Sequence, residues 1–187
     1  MELQTARLTL DALRIDDAEA LFRYRADPSV ARYQGWCPAS IGEARAFIEG
    51  LAWVAVDTPG SWFQRSIRLR DGGALIGDVG LHFVADAEAT VELGVSLSPE
   101  WQGQGIASEA LQAVLRFVFD GLGKHRVTGS VDPRNVASAR LLERVGMRKE
   151  AHFRESLRVG DAWVDDVIYA LLEREWQDRE ASGRHRS

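Results

Sequence analysis

One cysteine, Cys37, stands in 187 residues, so no disulfide can close within the chain and a reducing compartment is expected. A lone thiol is also a candidate nucleophile, but no histidine pattern accompanies it. Long apolar runs are missing as well. None is long enough to span a bilayer, and Met1-Glu2-Leu3-Gln4-Thr5 has no apolar signal core. No linker or repeat interrupts the chain, and 187 residues at 45% hydrophobic content suit one domain with an ordinary core. Basic excess is absent too. The net charge of −5 argues against nucleic acid as a partner and leans mildly toward cationic ligands. Only Arg184-His185-Arg186-Ser187 is locally basic. The expectation is a cytoplasmic monomer or homodimer without a membrane partner, one domain over residues 1–179 and a frayed tail over 180–187.

What the chain does have is a glycine-rich loop, Gln102-Gly103-Gln104-Gly105-Ile106-Ala107, between a strand pattern and a helix pattern. Upstream, Val91, Leu93, Val95 and Leu97 alternate with Glu92, Gly94 and Ser96, and Ser98-Pro99 ends the run. Downstream, Ala107, Ala110, Leu111, Val114, Leu115, Val118 and Phe119 recur at helical spacing. Gly103 and Gly105 therefore fall at a helix N-terminus, where free N–H groups and the helix dipole favour an anion. A plain connecting turn is the alternative. A P-loop is excluded because no Gly-Lys-Ser/Thr follows. A dinucleotide fingerprint fails because Ser108 stands where close helix packing needs Gly or Ala.

The remaining elements alternate. Residues 7–13 read as a strand, and Asp16-x-x-Glu19 and Ser40-x-x-Glu43 read as capping boxes for two helices separated by a loop over 27–38. Residues 61–69 and 74–83 form strands around Asp71-Gly72-Gly73, and the strand bearing Glu92 completes a meander. After the glycine loop and its helix come a strand over 126–131 and a helix over 135–145 ended by Gly146. A strand pair around Gly160-Asp161 and a closing segment over 171–176 follow. The expected fold is α/β (α+β), with a mixed, mostly antiparallel sheet of about seven strands and about four flanking helices.

Gln102, Gly105 and Ala107 occupy the Gln-x-x-Gly-x-Ala pattern that resembles the coenzyme A pyrophosphate loop of the GNAT acetyltransferases. Asn135-x-x-Ser138, Leu141-Leu142 and Gly146-Met147 resemble that family's segment lining the pantetheine arm and thioester. Arg7-Leu8-Thr9-Leu10, Ile76 to Leu81 and Trp163 to Trp176 look like the branch related to ribosomal-protein N-terminal acetyltransferases. The resemblance implies acetyl-CoA as cosubstrate, with no metal, seated in a V-shaped opening between the strands over 91–97 and 126–131. Gln102, Gly103, Gln104, Gly105, Ile106, Ala107 and Ser108 are then its phosphate contacts. Val95, Leu97, Asn135 and Arg140 lie along the rest of it, although Arg140 could equally face water.

Such an enzyme transfers an acetyl group to a primary amine by direct attack. Glu92 is the candidate general base, acting directly or through water; its alternative is a solvated strand charge. A bulge beside Gly94 would free a backbone N–H near Val95 to polarise the carbonyl. Leu142 stands where many of these enzymes carry a tyrosine acid, and the branch resemblance points to Ser138 instead. Against that, a helical serine can simply bond back to a carbonyl. Arg32, Tyr33, Trp36, Trp62, Phe63 and His82 are candidates for an acceptor pocket or for core, and Asp86, Glu88, Asp165 and Asp166 for attracting an amine or for solvation. A peptide N-terminus, an aminoglycoside and a polyamine all fit. The competing class of function is a non-catalytic acyl-CoA sensor, with a nicotinamide-binding fold behind it.

Overall fold

The computed structural model describes residues 1–87 and 89–184, so the expected role of Glu88 lies outside the described residues. Eight strands, among those residues, form a single sheet in the order β1-β2-β3-β4-β5-β6-β8-β7. They are β1 Leu3–Gln4, β2 Leu8–Leu10, β3 Trp62–Leu69, β4 Leu75–Phe83, β5 Thr90–Leu97, β6 Arg126–Val131, β7 Arg148–Val159 and β8 Ala162–Leu172. The helices are α1 Ala18–Arg25, α2 Pro28–Ala31, α3 Ile41–Leu51, α4 Ile106–Arg116, α5 Val136–Arg144 and α6 Glu173–Arg184. No described helix is long and apolar enough to cross a membrane.

The expected fold class holds, with the counts raised by short elements. β1 adds an eighth strand by pairing Leu3 with Leu10 and Gln4 with Thr9. Inside the expected loop over 27–38, α2 forms because Pro28 starts it and the Asp27 carboxylate accepts the Ser29 N–H at 2.8 Å. The Ser40 cap forms as expected, its hydroxyl accepting the Glu43 N–H at 3.1 Å. Asp16, however, caps nothing. It is Asp17 that accepts the Arg14 N–H at 2.6 Å, and Arg68 clamps the same carboxylate, so α1 starts beyond it. At the far end α6 runs on to Arg184, with Arg116 bonded to Glu180 at 3.1 Å; 185–187 lie outside the described residues.

Every strand pair is antiparallel except β5 with β6, which the crossover through α4 makes parallel. That pair is short. Only Thr90, Val91 and Glu92 meet Arg126, Val127 and Thr128, and beyond them the strands part. The β4–β5 register runs unbroken from Gly77↔Leu97 to Phe83↔Val91, so the expected bulge beside Gly94 is absent and the splay takes its place. A wedge-shaped gap in mid-sheet results.

Each face of the sheet is covered differently. α4 lays Ile106, Ala110, Leu111, Val114 and Leu115 on Val91, Leu93 and Leu97, forming the main core. On the other side α1 and α3 make a small core of Ala18, Leu21, Tyr24, Ala44 and Ile48. Asp78 of β4 fastens α1 to the sheet. Its fully buried carboxylate accepts from Tyr24 Oη at 2.5 Å, from Arg25 Nε at 3.1 Å and from Gln64 Nε2. Removing one partner of such a buried group costs about 3–5 kcal/mol. Burial and the neighbouring Asp78 charge push the Tyr24 hydroxyl well above its usual pKa.

Candidate active site

The end of β5 sets up the site. After Leu97 the chain turns through Pro99–Trp101, and Gln102 Nε2 ties back to the Leu97 carbonyl at 3.0 Å. Gly103 and Gly105 then take left-handed backbone (φ 74° and 76°), which a side chain would strain. Gly105 is the N-cap of α4 and provides no side-chain cap, so the first N–H groups of the helix stay open. The Ser108 hydroxyl, in the same first turn, is sealed from solvent and has no partner among the described residues. Leaving it unpaired costs about 1–3 kcal/mol, so this end of α4 is built short of an acceptor.

A strut holds the loop in place. Arg7 donates to the Gln104 carbonyl at 3.1 Å and to Glu109 Oε2 at 2.6 Å, while Thr5 donates to Glu109 Oε1 at 2.6 Å. Burial pushes the Glu109 carboxyl up, but the bonds from Thr5 and Arg7 outweigh it and hold it below the ordinary range. Gln104 itself turns away, its amide donating to the Glu100 carbonyl at 2.8 Å. Of the residues predicted to contact the phosphates, it alone is absent from the cavity lining.

The splay between β5 and β6 opens into a cavity of about 500 Å³. Val95 and Leu97 line it, as do Gln102, Gly103, Gly105, Ile106, Ala107 and Ser108. Asn135, Ser138 and Arg140 enter from α5, where the Asn135 side chain caps the helix by accepting the Ser138 N–H at 3.1 Å. Half-buried Ser138 has a hydroxyl with no hydrogen-bond partner among the described residues, so the bond back to a helix carbonyl is not made. Leu142 faces elsewhere. It is core, set against Gly129, so the place where a tyrosine was sought does not open on this cavity.

Other predicted residues sit apart or serve otherwise. Glu92 is outside the cavity lining; four residues along β5 from Ser96, it lies about 13 Å away. Its carboxylate stands 3.6 Å from His82 Nδ1, and the His82 ring stacks on Trp62 at 5.0 Å. Trp36 stacks on Phe47 at 4.3 Å and packs against the small core, so it is a structural aromatic. Phe63 is core as well, while Trp62 is exposed. Tyr33 does line the cavity, its hydroxyl reaching the Arg134 carbonyl, in the turn before α5, at 3.4 Å. Asp165 pairs with His152 at 2.7 Å and Asp166 accepts from Ser130 at 2.6 Å, which engages both carboxylates within the sheet. Cys37 is exposed and outside the lining.

Sequence reasoning missed Arg144, Gln34 and Ser96, all of which line the cavity. Arg144 was findable, one helical turn from Arg140 and on the same face. No local signal marks Gln34, which arrives from the segment after α2.

The chain matches the acetyltransferase (GNAT) domain family over residues 7–148. It is similar to the uncharacterized N-acetyltransferase YnaD of Bacillus subtilis (strain 168), 31% identical over 176 residues, covering 94% of this chain and 99% of that protein. Ribosomal protein uS5-alanine N-acetyltransferase of Escherichia coli (strain K12) is 36% identical over 84 residues, 45% of this chain and 43% of that one. A solved GNAT-family acetyltransferase from Bacillus anthracis superposes with a TM-score of 0.82 at 27% identity, covering 93% of this chain and 99% of the other.

Proposed function

The chain belongs to the GNAT acetyltransferases and is an acetyl-CoA-dependent N-acetyltransferase, and from that premise we propose that it acetylates a peptide N-terminus or a small primary amine by direct attack in a ternary complex. The cosubstrate supplies an activated thioester. Everything else is asked of the chain. The open N–H groups of α4 and the Ser108 hydroxyl hold the diphosphate, and Arg140 and Arg144 balance phosphate charge from α5. Holding amine nitrogen against carbonyl carbon within one cavity contributes several kcal/mol to the rate.

Two proton transfers remain. The attacking amine must lose one, and Glu92, whose carboxylate stands back from the cavity, takes it through intervening water. The departing sulfur gains one from the Ser138 hydroxyl, which lines the cavity and is otherwise unengaged. A coenzyme A thiolate also leaves readily unaided, so the serine accelerates a step that does not depend on it.

The observation that carries this reading is the uncapped start of α4 opening into the same cavity as Ser138. Thiol release from acetyl-CoA, screened against peptide N-termini and small amines, tests it. Release that depends on the amine supports transfer and identifies the acceptor. Tight acetyl-CoA binding with no release against any amine favours the sensor.

A further inference from the structure

Arg7 opens the run Arg7-Leu8-Thr9-Leu10 and has no task in the chemistry above, yet its side chain reaches across 97 residues of sequence to the glycine loop. It is mounted firmly. Its N–H donates to Glu109 Oε1 at 2.9 Å and its carbonyl accepts the Arg70 N–H at 2.9 Å, in a turn that the Thr5 hydroxyl closes by accepting the Leu8 N–H at 2.9 Å. Glu109 Oε2 takes Arg7 Nε, which aims Nη1 at the Gln104 carbonyl. Both nitrogens belong to one rigid planar fork, so the first bond sets the direction of the second.

That carbonyl is one end of the peptide joining Gln104 to Gly105. No described peptide bond is cis, and in a trans peptide the carbonyl and the N–H point in opposite directions. Arg7 lies outside the cavity lining and draws the oxygen to its own side, which turns the Gly105 N–H toward the side where Gly103, Gly105 and Ile106 line the cavity. This N–H makes no hydrogen bond among the described residues. Reversing the peptide would carry the φ of Gly105, 76° here, to the opposite sign, and glycine occupies either sign about equally well. A carbonyl oxygen would then face the diphosphate in place of a donor. The glycine that lets the loop curve therefore does not itself fix which way this peptide points.

We infer that Arg7 is a positioning residue for the cosubstrate: by holding the Gln104 carbonyl outward it keeps the Gly105 N–H toward the diphosphate, and so sets coenzyme affinity without touching the coenzyme. The inference rests on the diphosphate seat proposed above. Glu109 aims Arg7 and is neutralised by it, which leaves no bare carboxylate in the first turn of α4, where it would repel the same phosphates.

Calorimetry with coenzyme A tests this and needs no acceptor. Arg7→Ala should bind roughly tenfold more weakly, the worth of one hydrogen bond to a charged group at a half-exposed site, while the far-ultraviolet spectrum stays native. Arg7→Ala combined with Glu109→Gln should bind no better, because the carboxylate charge is gone and the carbonyl is still unheld. Arg70→Ala controls for a purely structural role. It removes the 3.0 Å bond from Arg70 to the Thr5 carbonyl in the same turn and leaves the Arg7 fork in place, so it should keep the parent's affinity. Parent affinity in Arg7→Ala, full recovery in the double variant, or an equal loss in Arg70→Ala would overturn the inference. If Arg7→Ala does not fold, Arg7→Lys is read in its place: it keeps the charge beside Glu109 and lacks the fork, and parent affinity there overturns the inference as well. A parent protein that binds no coenzyme A would remove the seat itself, and the inference with it.

Discussion

The two walls of the cavity are made in opposite ways. The wall of α4 and α5 presents backbone: left-handed glycines at 103 and 105, an uncapped helix start, and an asparagine cap at the turn that carries Ser138. The facing wall is built from side chains, Tyr33 and Gln34 from the segment after α2 and Ser96 from β5, with Gln34 held through Arg25 by buried Asp78. Backbone recognition demands particular residue types at fixed spacing and so suits an invariant phosphate group. Side-chain recognition leaves spacing free.

The sharpest way to break that contrast is Gly105→Asp. A carboxylate and a strained backbone at φ 76° would meet the diphosphate, so acetyl-CoA affinity should fall by at least about a hundredfold while the far-ultraviolet spectrum stays native. Unchanged affinity by calorimetry would remove the cradle. Ser138→Ala comes next, with turnover expected to fall roughly ten- to a thousandfold and stability to hold. Parent rates where chemistry limits turnover would free the serine of any role. Leu142→Tyr is no rescue for it, since Leu142 is packed in the core and the larger ring would overpack the site.

A smaller effect is expected from Glu92→Gln. Acting through water, this carboxylate should be worth roughly ten- to a hundredfold in turnover, most at low pH, where more of the amine needs a base. A pH profile matching the parent's at equal rate would make it a surface charge paired with His82. Glu109→Gln is the mildest change. The Glu109 pKa is depressed in the folded protein, so its stabilisation is present above the ordinary value of 4.5 and is lost as pH falls through the lowered folded value. The variant should be about 1 kcal/mol less stable at neutral pH, a modest figure because Arg7 is half exposed, and the gap should close in acid. A gap that persists below pH 3 in denaturant titrations would take the strut out of the account.

Most of the first wall was legible in the sequence, and little of the second. The strand over 126–131, the helix carrying Ser138 and the glycine loop all announce themselves by period and by turn chemistry. Asp16 misled because a capping pattern is local, whereas the neighbouring Asp17 was claimed by Arg68 from a strand 51 residues away. Trp36 misled for a related reason: a loop aromatic reads alike whether it faces a ligand or, as here, stacks on Phe47. Ser96 stayed silent because alternation assigns a face to a residue but not what lies opposite it. The opening between the strands over 91–97 and 126–131 was expected from the family resemblance and not from the residues themselves, since it depends on where β6 stops pairing with β5.

Direct transfer between the two walls is the central claim, and initial rates over a grid of acetyl-CoA and amine concentrations test it most directly. Both substrates must be present together in one cavity, so the reciprocal plots should intersect. Parallel lines would mean that the acetyl group rests on the protein between half-reactions, a route for which the exposed Cys37, outside the cavity, is the one thiol available, and would contradict the account.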